Sequence, residues 1–127
     1  PNVNVINWLN EIHSDNLYIS CITIGELKSG AIKKSKEDFV SGERISKWIE
    51  NLVNDYMDQI LEIGLETSEI WAELISKDKT NVIDALLAAQ AKQENMVLVT
   101  RNIKHFNNYN LKLLNPFEDD ILTFSPT

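Results

Sequence analysis

Apolar residues recur along this chain at two spacings. Apolar positions every three or four residues predict five helices. These cover about residues 2–13, a segment that starts at Ser20 or Thr23 and ends near residue 36, and the segments 39–57, 66–76 and 81–94. Short apolar runs at residues 17–20, 60–63, 97–100 and 111–114 are typical of buried strands. Short strands separated by helices predict an α/β fold with parallel pairing and helices on both faces of the sheet.

Tryptophans occur on the apolar faces of three predicted helices, at Trp8, Trp48 and Trp71. The helix over residues 39–57 is predicted to be the longest element and to turn Ile45, Trp48 and Ile49 inward. We therefore expect the tryptophan rings to serve core or interface packing rather than stacking on nucleic-acid bases.

Composition indicates one soluble domain. The chain has 127 residues, of which 43% are hydrophobic and 24% are charged, and we expect a single domain over residues 1–127 with a polar tail at 117–127. No apolar run approaches the roughly 18 residues that a membrane helix needs, and no signal peptide is visible, so a cytoplasmic location is expected. The net charge of -7 disfavours broad, nonspecific binding of nucleic acid. It does not exclude a metal-dependent nuclease, because bound cations offset the repulsion of phosphates.

Two carboxylates lie near the starts of different predicted helices. Glu26 belongs to Ile-Thr-Ile-Gly-Glu-Leu-Lys-Ser-Gly at residues 22–30, and Asp84 belongs to Val-Ile-Asp-Ala-Leu-Leu-Ala-Ala at residues 82–89. Each has a structural interpretation: Thr23 and Glu26 have capping-box spacing, and Asp84 suits the first turn of a helix capped by Asn81. If the carboxyl ends of parallel strands share an edge, we expect both acids to meet in a cleft there.

Together with Val-Leu-Val-Thr-Arg-Asn at residues 97–102, these segments resemble the PIN-domain ribonucleases of bacterial toxin systems, of the VapC-like or FitB-like kind. In such proteins a Glu follows the second strand in a motif like Ile-x-x-Glu-Leu-x-x-Gly, and an Asp starts a helix like Asp-Ala-x-Ile-Ala-Ala. The resemblance runs over about residues 8–116. It implies a three-layer α/β/α fold with a short central parallel sheet.

The resemblance also implies a chemistry, namely endonucleolytic RNA hydrolysis that depends on Mg²⁺ or Mn²⁺ and leaves a 5'-phosphate and a 3'-hydroxyl. Glu26 and Asp84 would be the metal ligands, and Asn102 would hold a water or the phosphate. Thr100, Arg101 and Lys104 would contact the substrate. The alternative for Thr100 and Asn102 is a polar turn that ends a strand. The alternative for Arg101, Lys104 and the lysines of residues 28–36 is a solvated surface.

The chain departs from the family pattern at two places. Relatives usually open with a strand that ends in Asp-x-Asn, whereas this sequence begins Pro1-Asn2-Val3, so we expect that strand and its acid upstream of Pro1. Some relatives have a further acid shortly before a Phe, where this chain has His105. Because His13 and His105 are isolated in the sequence, surface positions are expected for both.

The resemblance implies partners as well: an RNA substrate such as a transfer RNA, a cognate antitoxin, and a second copy in a homodimer formed through aromatics such as Trp8 or Tyr18. A rival hypothesis is a degenerate PIN scaffold that binds a partner without cleaving RNA. A receiver-like phosphate-binding module fits the element order but not the motifs. Such a module needs acids at the ends of its first strands, where only Glu62 is available.

Overall fold

A computed structural model describes residues 14–77, 81–100, 103–109 and 111–114. The chain divides into a first unit, Leu17–Glu62, and a second unit formed by Pro1–Asn16 and Ile63–Thr127. The predicted helix at residues 2–13 and the tail at 117–127 lie outside the described residues, and the single domain stays a prediction. No helix in the described part of the chain is both long enough and apolar enough to cross a membrane.

The first unit consists of two helices and two short strands. Its elements are β1 (Ile19–Ser20), α1 (Cys21–Glu37), α2 (Phe39–Asp55), a 3₁₀ helix (Met57–Gln59) and β2 (Ile60–Leu61). The two strands pair in parallel, with Ile19 opposite Ile60, and the Gln59 side chain donates to the Leu17 carbonyl at 2.6 Å beside this pairing. The observed strands are shorter than the predicted runs.

Asp38 alone connects α1 to α2. Its backbone N–H donates to the Lys34 carbonyl at 2.8 Å, which ends α1, and its carboxylate accepts from the Ser41 N–H at 3.2 Å, which begins α2. The Ser41 hydroxyl donates to the same carboxylate at 2.7 Å. The hydrogen bond from the Ser41 hydroxyl, followed by the one from the Ser41 N–H, holds the pKa of the Asp38 carboxyl below its ordinary value of 3.8.

Helices α1 and α2 pack around Ile24, Ala31 and Ile49, which form the core of the first unit. The glycine at position 42 permits this packing, because a Cβ there would come within 2.5 Å of the Ser35 backbone. Both helices have 17 residues, so among the described residues the helix predicted to be the longest shares that length with α1.

Trp48 is 54% exposed and Ile45 is 36% exposed, whereas Ile49 is only 1% exposed. The prediction that all three point inward was therefore wrong for Trp48 and Ile45. Successive helical residues are turned by about 100°, and the apolar stripe of α2 is wider than the strip that α1 covers. Periodicity identifies the apolar face, but the partner helix decides how much of it is buried.

The second unit repeats the alternation of helices and short parallel strands. It contains the 3₁₀ helix Ser14–Asn16, α3 (Leu65–Lys77), α4 (Val82–Gln93), β3 (Leu98–Val99), the 3₁₀ helix Ile103–Tyr109 and β4 (Leu113–Leu114). Strands β3 and β4 pair in parallel, with Leu98 opposite Leu113 and Val99 opposite Leu114. Parallel pairing in both units confirms the predicted α/β class. The 3₁₀ helix Ile103–Tyr109 was not predicted, and Val99, expected to be buried, is 37% exposed.

An alanine face on α4 organises the core of the second unit. Ala85, Ala88 and Ala89 are fully buried, and they cluster with Leu74 of α3 and with Phe106 and Tyr109 of the 3₁₀ helix. Because alanine carries only a methyl group, neighbouring elements approach the α4 backbone closely. The Trp71 indole N–H donates to the Val82 carbonyl at 3.3 Å, which joins α3 to the start of α4. This packing fixes the beginning of α4, where Asp84 lies.

Candidate functional site

The start of α4 positions Asp84. Asn81 caps this helix, and its side-chain oxygen accepts from the Asp84 backbone N–H at 3.3 Å. The predicted cap is therefore confirmed, and it uses the backbone of Asp84 rather than its carboxylate. The carboxylate itself is mostly enclosed, with a side chain only 17% exposed.

The 3₁₀ helix Ile103–Tyr109 brings a histidine to this carboxylate. Phe106 and Tyr109 are 3% and 4% exposed, and their rings meet edge to face with centroids 6.2 Å apart in the core that includes Ala85. Because Phe106 is anchored there, its neighbour His105 is held beside the start of α4. The His105 Nδ1 atom lies 3.3 Å from the Asp84 Oδ2 atom, and its side chain is 53% exposed.

Asp84 Oδ2 is buried and has no hydrogen-bond partner among the described residues. His105 Nδ1 is close enough for a charge contact, but the two groups do not have the geometry of a hydrogen bond. Leaving a buried polar atom without a partner costs about 1–3 kcal/mol, and more for a charged group. Such an atom is explained by a water or an ion, so the Asp84 carboxylate fits the role of a cation ligand.

Glu26 lies in the second turn of α1 and is exposed. The cap of α1 is Ser20, whose side-chain oxygen accepts from the Ile22 N–H at 3.1 Å, and Thr23 lies within the helix. The capping-box interpretation of Thr23 and Glu26 was therefore wrong. This geometry removes the structural explanation for Glu26. Glu26 belongs to the first unit and Asp84 to the second, and their approach stays a prediction.

The remaining predicted site residues follow β3. The Thr100 N–H donates to the Leu114 carbonyl at 2.9 Å, which extends the β3–β4 ladder by one hydrogen bond at the carboxyl end of β3. Lys104 is exposed beside His105. Arg101 and Asn102 lie outside the described residues, so their roles stay predictions. Among the described residues of the second unit, no third acid, cysteine or histidine joins Asp84 and His105 in a metal-binding group.

Sequence reasoning missed the contact of His105 with Asp84. It assigned His105 to the surface, which its exposure supports, but gave it no partner. A signal was available, because His105 directly precedes a buried Phe at the place where some relatives have an acid.

Comparison with known proteins agrees with the sequence resemblance. The family model of the PIN domain matches residues 2–111. Toxin FitB of Neisseria gonorrhoeae is 29% identical over 126 residues, which are 94% of this chain and 88% of FitB. VapC ribonuclease Y4jK of Sinorhizobium fredii is 27% identical over 125 residues, which are 93% of this chain and 87% of that protein.

A solved structure has the same fold. The crystal structure of FitAcB from Neisseria gonorrhoeae matches with a TM-score of 0.78 and 28% identity, over 93% of this chain and 88% of the matched chain. This likeness confirms the predicted three-layer α/β/α class with a short parallel sheet.

Proposed function

Since this chain belongs to the PIN-domain family, we propose that it is a metal-dependent endoribonuclease and the toxin of a type II toxin–antitoxin pair. The names of its relatives, a toxin and a VapC ribonuclease, support this assignment. The single observation that carries it is the buried Asp84 Oδ2 atom, which no donor among the described residues satisfies. A nuclease of this family needs such a carboxylate to hold a divalent cation.

Asp84 and Glu26 would hold Mg²⁺ or Mn²⁺, because carboxylate oxygens suit these hard cations and one or two carboxylates suffice for a hydrated ion. When bound, the ion supplies an activated water and stabilises the charge on the leaving oxygen. The surrounding protein groups would place the RNA. Asn102 would hold a water or the scissile phosphate, and Thr100 would orient a neighbouring carboxylate through its hydroxyl.

Positive charges near the carboxyl end of β3 would bind the RNA backbone. Arg101 and Lys104 carry these charges, and phosphate contacts of this kind position a nucleic acid without reading its sequence. The proposed substrate is a structured RNA such as a transfer RNA. The lysines of α1 are exposed and, apart from a 4.0 Å ion pair between Lys34 and Glu37, they match the solvated surface expected of a helix end.

The proposed partners are a cognate antitoxin and a second copy of the chain. A toxin of this class acts in the cytoplasm and is silenced by its antitoxin, which would cover the metal-binding carboxylates. Tyr18 is 46% exposed, which leaves its ring available for the proposed homodimer. Trp8, the other aromatic proposed for this contact, lies outside the described residues.

The test is cleavage of total transfer RNA with and without Mg²⁺ or Mn²⁺ by the wild-type protein and by Asp84→Asn. We expect Asp84→Asn to lose at least about 100-fold in rate, because it removes a ligand of the activating ion. Its thermal stability should change little, since Asn81 and the backbone of residue 84 provide the cap. Glu73→Gln is the matched control, because it neutralises an exposed acid on α3. Full cleavage by a folded Asp84→Asn variant would contradict the proposal.

A second candidate is a PIN scaffold that binds its partner without cleaving RNA. The observation that favours it is the small donor set, since Asp84 has only His105 beside it among the described acids, cysteines and histidines of the second unit. In this case neither the wild type nor Asp84→Asn would cleave RNA with any divalent ion. Both would bind the antitoxin equally well.

A further inference from the structure

Potential ligand atoms of Asp84 and His105 lie side by side without a hydrogen bond between them. Asp84 Oδ2 and His105 Nδ1 are 3.3 Å apart, and the carboxylate oxygen has no hydrogen bond from any described residue. A histidine that served only to neutralise the acid would be expected to donate a directed hydrogen bond. Neither atom is therefore committed to a hydrogen bond with the other.

Their separation matches that of two neighbouring ligands of one cation. Ligand atoms about 2.1 Å from a metal lie about 3.0 Å apart in an octahedral shell and about 3.4 Å apart in a tetrahedral one, and the observed separation of 3.3 Å falls between these two values. The imidazole is 53% exposed, whereas the Asp84 side chain is 17% exposed and its Oδ2 atom is buried. An ion would therefore have to approach Oδ2 past the exposed imidazole ring rather than through the core.

The backbone holds both residues in place before any ion arrives. Asp84 is fixed by the Asn81 cap, and His105 is carried by the buried Phe106 on the following position. Preorganised donors of this kind bind a cation without the cost of ordering two elements. Capping and core packing therefore set the backbone positions of both residues in the absence of an ion.

We infer that His105 Nδ1 is a metal ligand beside Asp84 Oδ2, and that this nitrogen makes the site prefer imidazole-binding transition ions such as Co²⁺ over Mg²⁺. This inference rests on the proposed function, because it concerns the same metal site. It adds a nitrogen ligand to the oxygen ligands expected from the resemblance. Imidazole suits transition ions, whereas Mg²⁺ takes oxygen ligands almost exclusively.

Calorimetric titration of the full chain with Co²⁺ and with Mg²⁺, in the absence of RNA, tests this selectivity. The variants are His105→Asp, which restores an oxygen donor, and His13→Gln, which removes the other of the two histidines of the chain. We expect His105→Asp to lower the ratio of Co²⁺ to Mg²⁺ affinity by at least about tenfold, and His13→Gln to leave it unchanged. An equal ratio in wild type and His105→Asp would overturn the inference.

A second measurement locates the ion independently of affinity. With isotopically labelled histidine, the chain gives two sets of imidazole signals, which His13→Gln assigns. Substoichiometric Mn²⁺ should broaden the His105 signals and spare those of His13, and Asp84→Asn should abolish the broadening. A Nδ1 proton on His105 that persists at saturating Co²⁺ would mean that His105 only orients Asp84, which would also overturn the inference.

The outcomes separate this inference from the proposed function. Cation binding and RNA cleavage that depend on Asp84 but not on His105 would leave the nuclease standing and exclude the histidine ligand. Failure of the wild type to bind Co²⁺, Mg²⁺ or Mn²⁺ would exclude the site altogether, and with it the metal dependence of the proposed function.

Discussion

His105 Nδ1 lies 3.3 Å from Asp84 Oδ2, although one belongs to a 3₁₀ helix and the other to the first turn of α4. His105 directly precedes Phe106, which is almost fully buried in the core that the alanine face of α4 helps to form. The candidate site is therefore coupled to the packing of the second unit. Substitutions in this core should affect both stability and cation affinity.

Phe106→Leu should reduce the free energy of unfolding by about 1–2 kcal/mol, because the smaller side chain underfills the core. It should also weaken Co²⁺ binding, since His105 loses its anchor. Phe39→Leu is the matched control, because Phe39 is 65% exposed and should change neither quantity. Denaturant unfolding and calorimetry measure the two effects. Unaltered Co²⁺ affinity in a destabilised Phe106→Leu protein would show that Phe106 does not position the histidine.

Glu26→Gln should abolish metal-dependent RNA cleavage with little change in stability. Ser20, not Thr23, caps α1, so the Glu26 carboxylate is not needed to begin the helix. Ser20→Ala provides the contrast, with an expected loss of about 1 kcal/mol in the free energy of unfolding. Parallel assays of transfer RNA cleavage and thermal melting would separate the two roles. Substantial destabilisation by Glu26→Gln would indicate a structural role for this acid.

Gly42→Ala should destabilise the first unit by about 1–3 kcal/mol, because overpacking forces the helices apart. A Cβ at position 42 would lie 2.5 Å from backbone atoms of Ser35, which cannot move as a flexible side chain can. Gly30→Ala is the matched control in α1, where a Cβ meets nothing within 4 Å. It should raise stability by about 0.5–1 kcal/mol through helix propensity. Equal effects of the two substitutions would argue against the close helix contact.

Ile49→Ala should lower the free energy of unfolding by about 2–5 kcal/mol, whereas Trp48→Ala should lower it by about 1 kcal/mol or less. Ile49 is 1% exposed and Trp48 is 54% exposed, so the smaller residue removes more buried contact. Chemical unfolding of both variants measures this difference. A larger loss for Trp48→Ala would show that the indole is covered in solution.

The Asp38 carboxylate should make the free energy of unfolding depend on pH in the acidic range. Its folded-state pKa lies below the ordinary value of 3.8, so the charged form is favoured in the folded protein. The resulting stabilisation is present above the unfolded-state pKa and is lost as the pH falls through the folded-state pKa. The difference in unfolding free energy between wild type and Asp38→Asn should therefore shrink as the pH drops below 3.8. A difference that stays constant across this range would exclude a charge-assisted cap.

The sequence determined the features that depend on neighbouring residues. Apolar spacing predicted the helices α1 to α4 and the alternating strands, but not the 3₁₀ helix Ile103–Tyr109, and the side chain of Asn81 predicted the cap of α4. These predictions succeed because helix periodicity and capping arise within a few residues. The resemblance in the segments around Glu26 and Asp84 likewise predicted the family, which the match over residues 2–111 confirmed.

Only the tertiary structure decided which apolar residues are covered and which polar atoms meet. Trp48 lies on the predicted apolar face but outside the strip that α1 covers, and Ser20 rather than Thr23 begins α1 although both residue types cap helices. The contact between His105 and Asp84 arises because separate elements pack on the α4 alanines. Sequence spacing cannot supply that contact, since it depends on how distant segments fill a shared core.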